Sequence, residues 1–467
     1  MKPYRLLIGG ELVAGDSTMD VINPANETVL ATCPRGSASQ MDAAVAAARE
    51  AFPVWSQLDI SERRTRLLAL ADAIEGHQDE LARLLTQEQG KPLPEATAEI
   101  VYTCAFIRQL SSLDLPVKVL EDGPSRRVEQ HRRPLGVVGA IIPWNFPILI
   151  VAFKIPPALL VGNTVVIKPA PTTPLTTLRL GEIMAELFPP GVINIVTDLN
   201  DLGGQLTSHP DVAKISFTGS TATGQKVMSS VAGTLKRLTL ELGGNDAAIV
   251  LPDADPATVA SGLYGGAFMN AGQVCLAIKR AYVHESIYDA VVDQLSELAE
   301  ASVVDDGLQQ GTTIGPLQNR MQYEKVKSFL TDAAKDGRIV AGGTVEDRPG
   351  YFIRPTIVAD IDDRSRLVSE EQFGPILPVL KFSDLEDALA RANASPWGLG
   401  GSVWGKDRDT LRDIALRMET GTAWINKHLD FGPTIPFGGA KQSGIGVEFA
   451  EEGLAEFTQV HIINESL

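Results

Sequence analysis

The amino-acid sequence predicts an α/β protein with a parallel sheet. From residue 135 onward, the short β-branched runs GVVGAII, NTVVIK, GVINIV and KISF alternate with helical stretches such as PLTTLRLGEIMAELF. Strand and helix in alternation are typical of βαβ units. A second stretch of mixed α/β texture runs from about 243 to 440, and a length of 467 residues suits roughly two or three domains.

The residues before 115 predict a hairpin followed by helices. The glycine pair of LLIGGELV supplies the positive φ angles of a tight turn. Ser37 and Gln40 form a potential capping box in front of a helix whose apolar residues recur at helical spacing. Two further helices are expected, from 61 to about 74 and from 95 to about 110.

Two segments fit neither of the α/β stretches. Residues 115–134, LPVKVLEDGPSRRVEQHRRP, place an Asp122-Gly123 turn between two extended polar runs. The segment FTQVHIINESL closes the chain as a strand-like tail with no partner nearby in sequence. An exposed strand of this kind invites pairing with another part of the chain or with another subunit.

Composition excludes several classes of partner. The formal charge of −17 disfavours nucleic acid and anionic membrane surfaces, because both attract basic patches. The most apolar stretch, FPILIVAFKIPPALLVG, is interrupted by Lys154 and a proline pair, and the amino terminus lacks the apolar run of a signal peptide. Three cysteines fit a reducing compartment. We therefore expect an acidic, soluble, cytoplasmic protein with no membrane, nucleic-acid or metal site.

Polar side chains follow two of the predicted strands. In IIPWNFP, Asn145 lies between two aromatic residues, where it either satisfies neighbouring backbone or donates an N–H to a developing oxyanion. Lys168 ends the strand VVIKPAP. Because ligands of open α/β sheets bind at the carboxyl ends of strands, a cation there suits ribose hydroxyls or phosphate.

The next two strand ends carry glycines. In ISFTGSTATG, Gly219, Ser220 and Gly224 predict either a plain helix start or a turn whose N–H groups face an anion such as a pyrophosphate. The spacing differs from the usual G-x-G-x-x-G fingerprint. In LELGGNDA, Glu241 precedes a glycine pair, and burial would raise its pKa towards a value useful for a general base.

The three cysteines differ in context. Cys104 shares a predicted helix face with apolar residues, which favours a core position, and Cys33 is expected in a polar connection. Cys275, in NAGQVCLAIKR, lies between small residues and a basic pair. Its context alone is compatible with a buried apolar group or with a nucleophile.

Five motifs together resemble the aldehyde dehydrogenase superfamily: PWNFP, ELGGN, N-x-G-Q-x-C, EEQFGP and PFGGAKQSG, in this order and over essentially the whole chain. The resemblance implies the α/β fold of that family, with a parallel-sheet cofactor domain at 1–114 and 135–242 and an α/β catalytic domain at 243–440. It also implies a small oligomerisation hairpin and tail at 115–134 and 441–467, and a homodimer or homotetramer.

The resemblance implies covalent catalysis on a small-molecule aldehyde. Cys275 would attack the aldehyde, and Asn145 and the Cys275 N–H would stabilise the oxyanion. Hydride transfer leaves a thioester, which water activated by Glu241 hydrolyses to the carboxylic acid. Lys154 and Glu448 match a proton relay, with a simple ion pair as the alternative.

The resemblance also implies NAD as cofactor, with NADP as an alternative. Lys168 matches a lysine on the adenosine ribose, Ser220 a hydroxyl near the pyrophosphate, and Glu371 a carboxylate on the nicotinamide ribose. The full implied set of cofactor-binding residues is Pro143, Trp144, Lys168, Gly219, Ser220, Gly224, Glu241, Glu371 and Phe373.

Two departures from the family pattern bear on specificity. Pro171 replaces a glutamate that repels a 2′-phosphate, which predicts weak discrimination between NAD and NADP with a lean to NAD. Val447 occupies a site where semialdehyde-oxidising members often carry arginine, which favours aromatic or medium aliphatic aldehydes. The substrate tunnel is expected near Phe268, Met269, Leu276 and residues 426–434.

Other functions compete with this interpretation. They are a semialdehyde dehydrogenase, a CoA-acylating aldehyde dehydrogenase, a thiol hydrolase without nicotinamide, and a non-catalytic binding protein on the same fold. Glu241 argues against the CoA-acylating branch, which lacks this base. A thiol hydrolase normally pairs cysteine with histidine and would leave Lys168 and Glu371 unexplained.

Overall fold

The first part of the chain forms two hairpins and four helices. A computed structural model describes residues 3–467. The elements before residue 115 are β1 (Leu6–Ile8), β2 (Glu11–Val13), β3 (Ser17–Ile22), β4 (Val29–Arg35), α1 (Ala38–Gln57), α2 (Ile60–Gly76), α3 (Gln78–Gln89) and α4 (Leu93–Ser111). The predicted first hairpin and the helices α1, α2 and α4 are present; α3 is an additional helix.

Alternating strands and helices follow. They are β5 (Lys118–Asp122), β6 (Arg126–Pro134), β7 (Val137–Ile141), α5 (Pro147–Leu160), β8 (Thr164–Lys168), α6 (Leu175–Leu187), β9 (Ile193–Ile195), α7 (Gly203–Ser208), β10 (Val212–Thr218), α8 (Thr221–Val231) and β11 (Arg237–Glu241). The four strands predicted from β-branched runs are β7, β8, β9 and β10.

The remaining elements form a second α/β unit and the tail. They are β12 (Asp246–Val250), α9 (Pro256–Phe268), β13 (Ile278–His284), α10 (Tyr288–Glu300), α11 (Arg320–Asp336), β14 (Arg338–Ala341), β15 (Thr356–Ala359), α12 (Arg366–Ser369), β16 (Ile376–Phe382), α13 (Leu385–Asn393), β17 (Trp397–Gly398), β18 (Gly400–Trp404), α14 (Arg408–Arg417), β19 (Thr422–Ile425), β20 (Ala440–Lys441), β21 (Gly444–Ile445), α15 (Ala450–Ala455) and β22 (Thr458–Ser466).

Local sequence signals explain the start of the chain. Ser37 caps α1 and forms the predicted capping box with Gln40. Cys33 corrects one expectation, because it lies in β4 opposite Met19 of β3 and is buried, not part of a polar connection. Its apolar surroundings agree with a structural role.

The first sheet has eight strands in the order β2-β1-β9-β8-β7-β10-β11-β21. Its central strands β9, β8, β7, β10 and β11 are parallel neighbours. Every residue of β7 and β8 is buried, as expected where helices cover both faces of a parallel sheet. The carboxyl ends of these strands therefore place Lys168, Thr218 and Glu241 along one edge.

The second sheet has seven strands in the order β14-β15-β16-β13-β12-β18-β19. Its strands β15, β16, β13, β12, β18 and β19 are parallel neighbours, and β14 joins antiparallel at one edge. Its apolar core is separate from that of the first sheet. The chain reaches β13 through the loop that carries Cys275.

The tail pairs within the chain. Residues of β22 pair antiparallel with β6, from Thr458 opposite Pro134 to Ser466 opposite Arg126, and β6 pairs with β5 on its other side. The predicted segment 441–467 does not form one structural unit. Its strand β21 pairs with β11 in the eight-stranded sheet, and its helix α15 packs near α5. Only β22 extends the hairpin of 115–134. Assembly with another subunit stays a prediction.

The most apolar helix, α5, is a core helix. Lys154 lies fully buried in its middle, and Pro156 and Pro157 follow within the same helix. Among residues 3–467, no helix is both long and apolar enough to cross a membrane. The cytoplasmic location remains a prediction from composition.

Candidate active site

The loop before Cys275 has an unusual backbone. Asn270, Ala271 and Gly272 have consecutive positive φ angles of 51°, 54° and 73°. A Cβ on Gly272 would lie 2.4 Å from the carbonyl oxygen of Gly374, so glycine is required there. Non-glycine residues in this conformation cost roughly 1–3 kcal/mol each and cluster at functional sites. The N-x-G-Q-x-C motif therefore encodes a loop shape as well as a thiol.

Buried amides hold this shape. Asn270 Nδ2 donates to the carbonyl oxygen of Asn145 at 3.0 Å, and Gln273 Nε2 donates to the carbonyl oxygen of Asn270 at 2.9 Å. Gln89 Nε2, from the end of α3, donates to Asn270 Oδ1 at 3.0 Å. The cysteine loop is thus tied to the turn after β7.

Asn145 lies beside the cysteine loop. Its side-chain Nδ2 donates to the carbonyl oxygen of Gln273 at 3.0 Å, two residues before Cys275. Within residues 3–467 this is the one hydrogen bond that Nδ2 makes, and an amide nitrogen carries two N–H groups. The second N–H is available to a substrate oxygen.

A buried ion pair supports the Asn145 turn. Lys91 Nζ lies 2.5 Å from Glu99 Oε2 and donates to the carbonyl oxygen of Asn145 at 3.0 Å. Glu99 Oε1 accepts from the N–H groups of Ile148 and Leu149, each at 3.1 Å, at the start of α5. Both charged side chains are buried, so each depends on the other for compensation.

We expect Lys91→Met to destabilise the protein strongly. The change leaves the Glu99 carboxylate buried without its cation, and breaking such a pair typically costs about 3–5 kcal/mol. Denaturant unfolding measures the loss. The matched control is Arg108→Met, since Arg108 pairs with Asp72 and Glu75 at the surface and such pairs contribute about 0–1 kcal/mol. Equal stability of the two variants would contradict the assigned role.

The Cys275 thiol lies in a partly buried, electrostatically mixed position. Burial raises the pKa of Cys275 to about 12; Lys279 opposes this, and Glu241, Asp246 and Glu371 add to it. Lys279 Nζ donates to the carbonyl oxygen of Cys275 at 2.6 Å and lies 3.3 Å from Glu371 Oε1. The thiol is therefore protonated at rest, and attack requires a base.

Glu241 is one of three carboxylates whose charge acts on the thiol. It ends β11 and is only 4% exposed, and neither side-chain oxygen hydrogen-bonds to any residue in 3–467. Burial raises its pKa well above the usual range; Glu448 adds to the shift and Lys154 opposes it. A buried carboxyl group without a protein partner is suited to a proton acceptor for thiol or water.

Lys154 and Glu448 meet behind Glu241. Their Nζ and Oε1 atoms are 2.8 Å apart, both side chains are buried, and Lys154 also donates to Ser216 Oγ at 3.1 Å. The structure therefore contains the ion pair that is the alternative to a proton relay. A proton relay through these groups stays a prediction.

The glycine pair of ELGGN makes room for Glu371. A Cβ on Gly243 would lie 2.3 Å from Glu371 Oε2, and the Gly244 N–H donates to Glu371 Oε1 at 3.0 Å. Phe373 has a φ of 50°, and its ring meets Trp144 edge-on at a centroid distance of 5.4 Å. The EEQFGP motif therefore lies against both the ELGGN turn and the PWNFP turn, which also contains Pro143.

The other predicted cofactor residues lie farther along the same sheet edge. Lys168 Nζ is 2.6 Å from Asp198 Oδ1. Ser220 caps α8 by accepting from the Thr223 N–H, which is the plain helix start, and Gly219 precedes it. A Cβ on Gly224 would lie 2.4 Å from Leu242, so close packing against the residue that follows β11 already explains this glycine.

Sequence reasoning missed several residues that hold the site. Lys279 belongs to the basic pair after Cys275, but its contact with Glu371 joins residues far apart in sequence. No sequence pattern marks Lys91 and Glu99 as buried, because a charged residue in the core cannot be distinguished by its local sequence from one at the surface. Asp198 follows the end of β9 closely, so the strand-end rule that selected Lys168 could have found it.

The chain resembles known proteins along nearly its whole length. The model of the Aldehyde dehydrogenase family matches residues 12–463. A phenylacetaldehyde dehydrogenase of Pseudomonas fluorescens is 42% identical, covering 98% of this chain and 94% of the relative. The succinate-semialdehyde dehydrogenase [NADP(+)] of Escherichia coli is 37% identical, covering 98% and 96%.

Solved structures agree in fold. An aldehyde dehydrogenase from Bacillus cereus in complex with NAD+ superposes with a TM-score of 0.98 at 36% identity, covering 100% of this chain and 97% of that one. An NADP-dependent enzyme of E. coli gives 0.97 at 37% identity, covering 100% and 98%. The predicted α/β fold is confirmed.

Proposed function

The chain belongs to the aldehyde dehydrogenase family, and from this membership we propose that it oxidises an aldehyde to the carboxylic acid with NAD(P)+ through Cys275. The observation that supports the proposal is that three groups lie in one region of the protein. Cys275 lies in a loop anchored to the Asn145 turn, and Glu241 is close enough to raise the pKa of the thiol. Nucleophile, oxyanion donor and base are the groups that covalent acyl chemistry needs.

The first step joins Cys275 Sγ to the aldehyde carbon. The thiol proton passes to a base, for which Glu241 is the candidate, and the aldehyde oxygen becomes an oxyanion. The free N–H of Asn145 Nδ2 and the backbone N–H of Cys275 donate to that oxygen. Because these donors are held by the loop before the reaction starts, they need little reorganisation as charge develops.

Residues along the sheet edge fit a nicotinamide dinucleotide. Thr218 Oγ1, at the end of β10 beside the Gly219–Ser220 turn, is buried without a partner among residues 3–467. Lys168 and Glu371 offer charged groups for the two riboses. When bound, the nicotinamide supplies the acceptor for the hydride that leaves the thiohemiacetal carbon, which converts that carbon to a thioester on Cys275.

The second half-reaction is hydrolysis. Glu241 takes a proton from water, the water oxygen attacks the thioester carbon, and the carboxylic acid leaves as the thiol returns to Cys275. Lys154 and Glu448 lie behind Glu241 and provide a route for that proton towards the interior. The raised pKa of Glu241 makes its carboxylate a stronger proton acceptor than an exposed glutamate.

Aromatic side chains near Cys275 indicate the substrate class. Phe153 from α5 and Phe431 from the 426–434 loop are partly exposed and 6.3 Å apart, and both pack against a core that also receives Cys275. Phe449 lies 4.6 Å from Phe153 and 6.5 Å from Phe431. We propose that these rings line the aldehyde channel, which favours aromatic or medium aliphatic substrates.

In the 426–434 loop, neither cationic side chain is suited to a second carboxylate. Val447 is apolar, and the Lys427 Nζ is already paired with Asp430 at the surface. Burial lowers the pKa of His428 to about 3, although its contact with the Leu276 carbonyl oxygen opposes the shift. His428 is therefore neutral, and neither group is a ready partner for a semialdehyde carboxylate.

We expect phenylacetaldehyde to give a higher kcat/KM than succinic semialdehyde. An aldehyde panel followed by the absorbance of reduced nicotinamide measures the ranking. Phe431→Ala should lower kcat/KM for phenylacetaldehyde by roughly 10–100-fold, because aromatic truncation in a pocket removes several buried contacts. Acetaldehyde is the control, since it is too small to fill the ring pocket. A maximum with succinic semialdehyde would overturn the substrate proposal.

Other functions remain distinguishable. A CoA-acylating enzyme would require CoA for turnover, whereas the proposed hydrolysis uses water and Glu241. A thiol hydrolase would act without nicotinamide, and a non-catalytic protein would turn over no aldehyde. The semialdehyde alternative draws on the E. coli relative, while the paired Lys427 and neutral His428 favour the uncharged substrate.

A homodimer or homotetramer is part of the proposal. The β5-β6-β22 sheet carries exposed apolar side chains, including Val119, Leu120 and Ile462. Apolar residues on a small sheet suit burial against another subunit. Size-exclusion chromatography with light scattering would determine the assembly.

A further inference from the structure

A buried ion pair joins the ends of two neighbouring parallel strands. Lys168 ends β8, and Asp198 follows β9, its partner in the sheet. Lys168 Nζ and Asp198 Oδ1 are 2.6 Å apart, with side-chain exposures of 4% and 0%. Because the pair is shielded from water, its charges act more strongly on a nearby ligand than surface charges would.

Asp198 is fixed in place by its own loop. Its Oδ2 accepts from the Leu202 N–H at 2.9 Å, and the preceding Thr197 is held because its Oγ1 donates to the carbonyl oxygen of Pro34 at 2.5 Å. The backbone N–H of Gly36 donates to the Thr197 carbonyl oxygen at 2.8 Å. The carboxylate therefore cannot swing away from Lys168 without disrupting the loop.

The cations beside this loop are already paired. Arg35 Nη2 lies 2.6 Å from Asp201 Oδ2, and Lys168 is matched by Asp198. A 2′-phosphate carries about −1.5 to −2 charge units and needs unpaired cations. A ribose hydroxyl needs only a hydrogen-bond partner, and the Lys168 ammonium provides a donor.

We propose that Asp198 is a specificity-determining residue that makes this enzyme prefer NAD+ over NADP+. The inference rests on the proposed function, in which Lys168 contacts the adenosine ribose. Asp198 neutralises the cation that would attract a 2′-phosphate and adds a fixed negative charge next to it. Like charges in such proximity strongly disfavour binding.

The proposal changes the expectation drawn from Pro171. The proline removes a carboxylate from the position three residues after Lys168, which by itself predicts weak discrimination. Asp198 brings a carboxylate to the same lysine from the neighbouring strand. The electrostatic filter is therefore present, but it comes from a different position in the sequence.

Direct binding measurements test the proposal. Titrations of the purified protein with NADH and NADPH, followed by nicotinamide fluorescence, should give at least about 100-fold tighter binding of NADH, as expected for like-charge repulsion. Asp198→Asn should reduce that ratio at least about tenfold, chiefly by tightening NADPH binding, because Lys168 is then free to attract the phosphate. The asparagine keeps an oxygen for the Leu202 N–H.

Two variants serve as controls. Asp198→Glu keeps the charge and should keep most of the preference, whereas a purely structural role for Asp198 would affect both cofactors equally. Asp211→Asn removes a carboxylate that pairs with Arg49 before the start of β10, at the opposite edge of the sheet from Lys168. It should leave the ratio unchanged.

The outcomes separate this inference from the proposed function. Binding of neither cofactor by the wild-type protein would overturn the proposed function. Binding of both with a wild-type ratio below about tenfold, or a ratio that Asp198→Asn leaves unchanged, would overturn only the role of Asp198. If Asp198→Asn does not fold, as judged by circular dichroism, the wild-type ratio and Asp198→Glu still decide the question.

Discussion

Cys275→Ala is expected to abolish aldehyde oxidation. Without Sγ no thiohemiacetal forms, so no carbon is positioned to release a hydride, and the oxyanion donors have no covalent intermediate to stabilise. Loss of the nucleophile in other covalent enzymes costs about 10⁶ in kcat. The variant should fold normally, because the change removes one sulfur atom from a residue of intermediate burial.

Production of reduced nicotinamide with a good aldehyde substrate measures the effect. Cys104→Ala is the matched control, since Cys104 is buried in α4 and its thiol makes one hydrogen bond among residues 3–467, to the carbonyl oxygen of Ala71 at 3.5 Å. That variant should retain activity with a small loss of stability. Near-normal turnover by Cys275→Ala would refute the covalent mechanism.

Glu241→Gln is expected to slow steady turnover by about 10² to 10⁴, the usual contribution of a general base. If the carboxylate acts mainly in hydrolysis, the thiol can still attack and hydride transfer can still occur once at each site. Rapid mixing with aldehyde and cofactor should then show a burst of reduced nicotinamide approaching one per active site. A slow phase follows, because water lacks its base.

The burst separates two roles of Glu241. Loss of the burst while cofactor still binds would mean that Glu241 also deprotonates the thiol, whose pKa of about 12 calls for such a base. Glu241→Asp keeps a carboxylate at shorter reach and should recover part of the steady rate. Full turnover by Glu241→Gln would remove Glu241 from the mechanism.

The pH dependence of turnover also tests the role of Glu241 as a base. The base must be ionised, and burial raises the pKa of Glu241 well above its usual range. Wild-type turnover should therefore rise with pH through that raised pKa, and the rising limb should be absent from the slow phase of Glu241→Gln. A wild-type profile that is flat from acidic to neutral pH would contradict a titrating base.

Much of the site was predictable because its motifs mark strand ends. Asn145, Lys168, Ser220 and Glu241 all follow or end buried strands, and parallel strands deliver their carboxyl ends to one edge. The strand and helix signals rest on local periodicity, which each segment records by itself. The expected position of Cys33 was wrong. Its strand, β4, mixes polar and apolar residues and contains a proline, so the sequence pattern of a strand is weak there.

The remaining features depend on contacts between distant residues. β21 pairs with β11 across some two hundred residues, a choice that a two-residue strand cannot encode locally. Lys91 and Glu99 are buried partners because α3 and α4 bring them against the Asn145 turn. No periodicity distinguishes such a pair from two surface charges.

The sequence by itself therefore determined the fold class, the family and the identity of Cys275, Asn145 and Glu241 as candidates. Only the tertiary structure decided which charges meet: Lys279 with Glu371, Lys154 with Glu448, and Lys168 with Asp198. The physical reason is that hydrophobic pattern and turn chemistry act over a few neighbouring residues. Electrostatic pairing depends on distances of a few ångströms, and those are set when the strands align in the sheets.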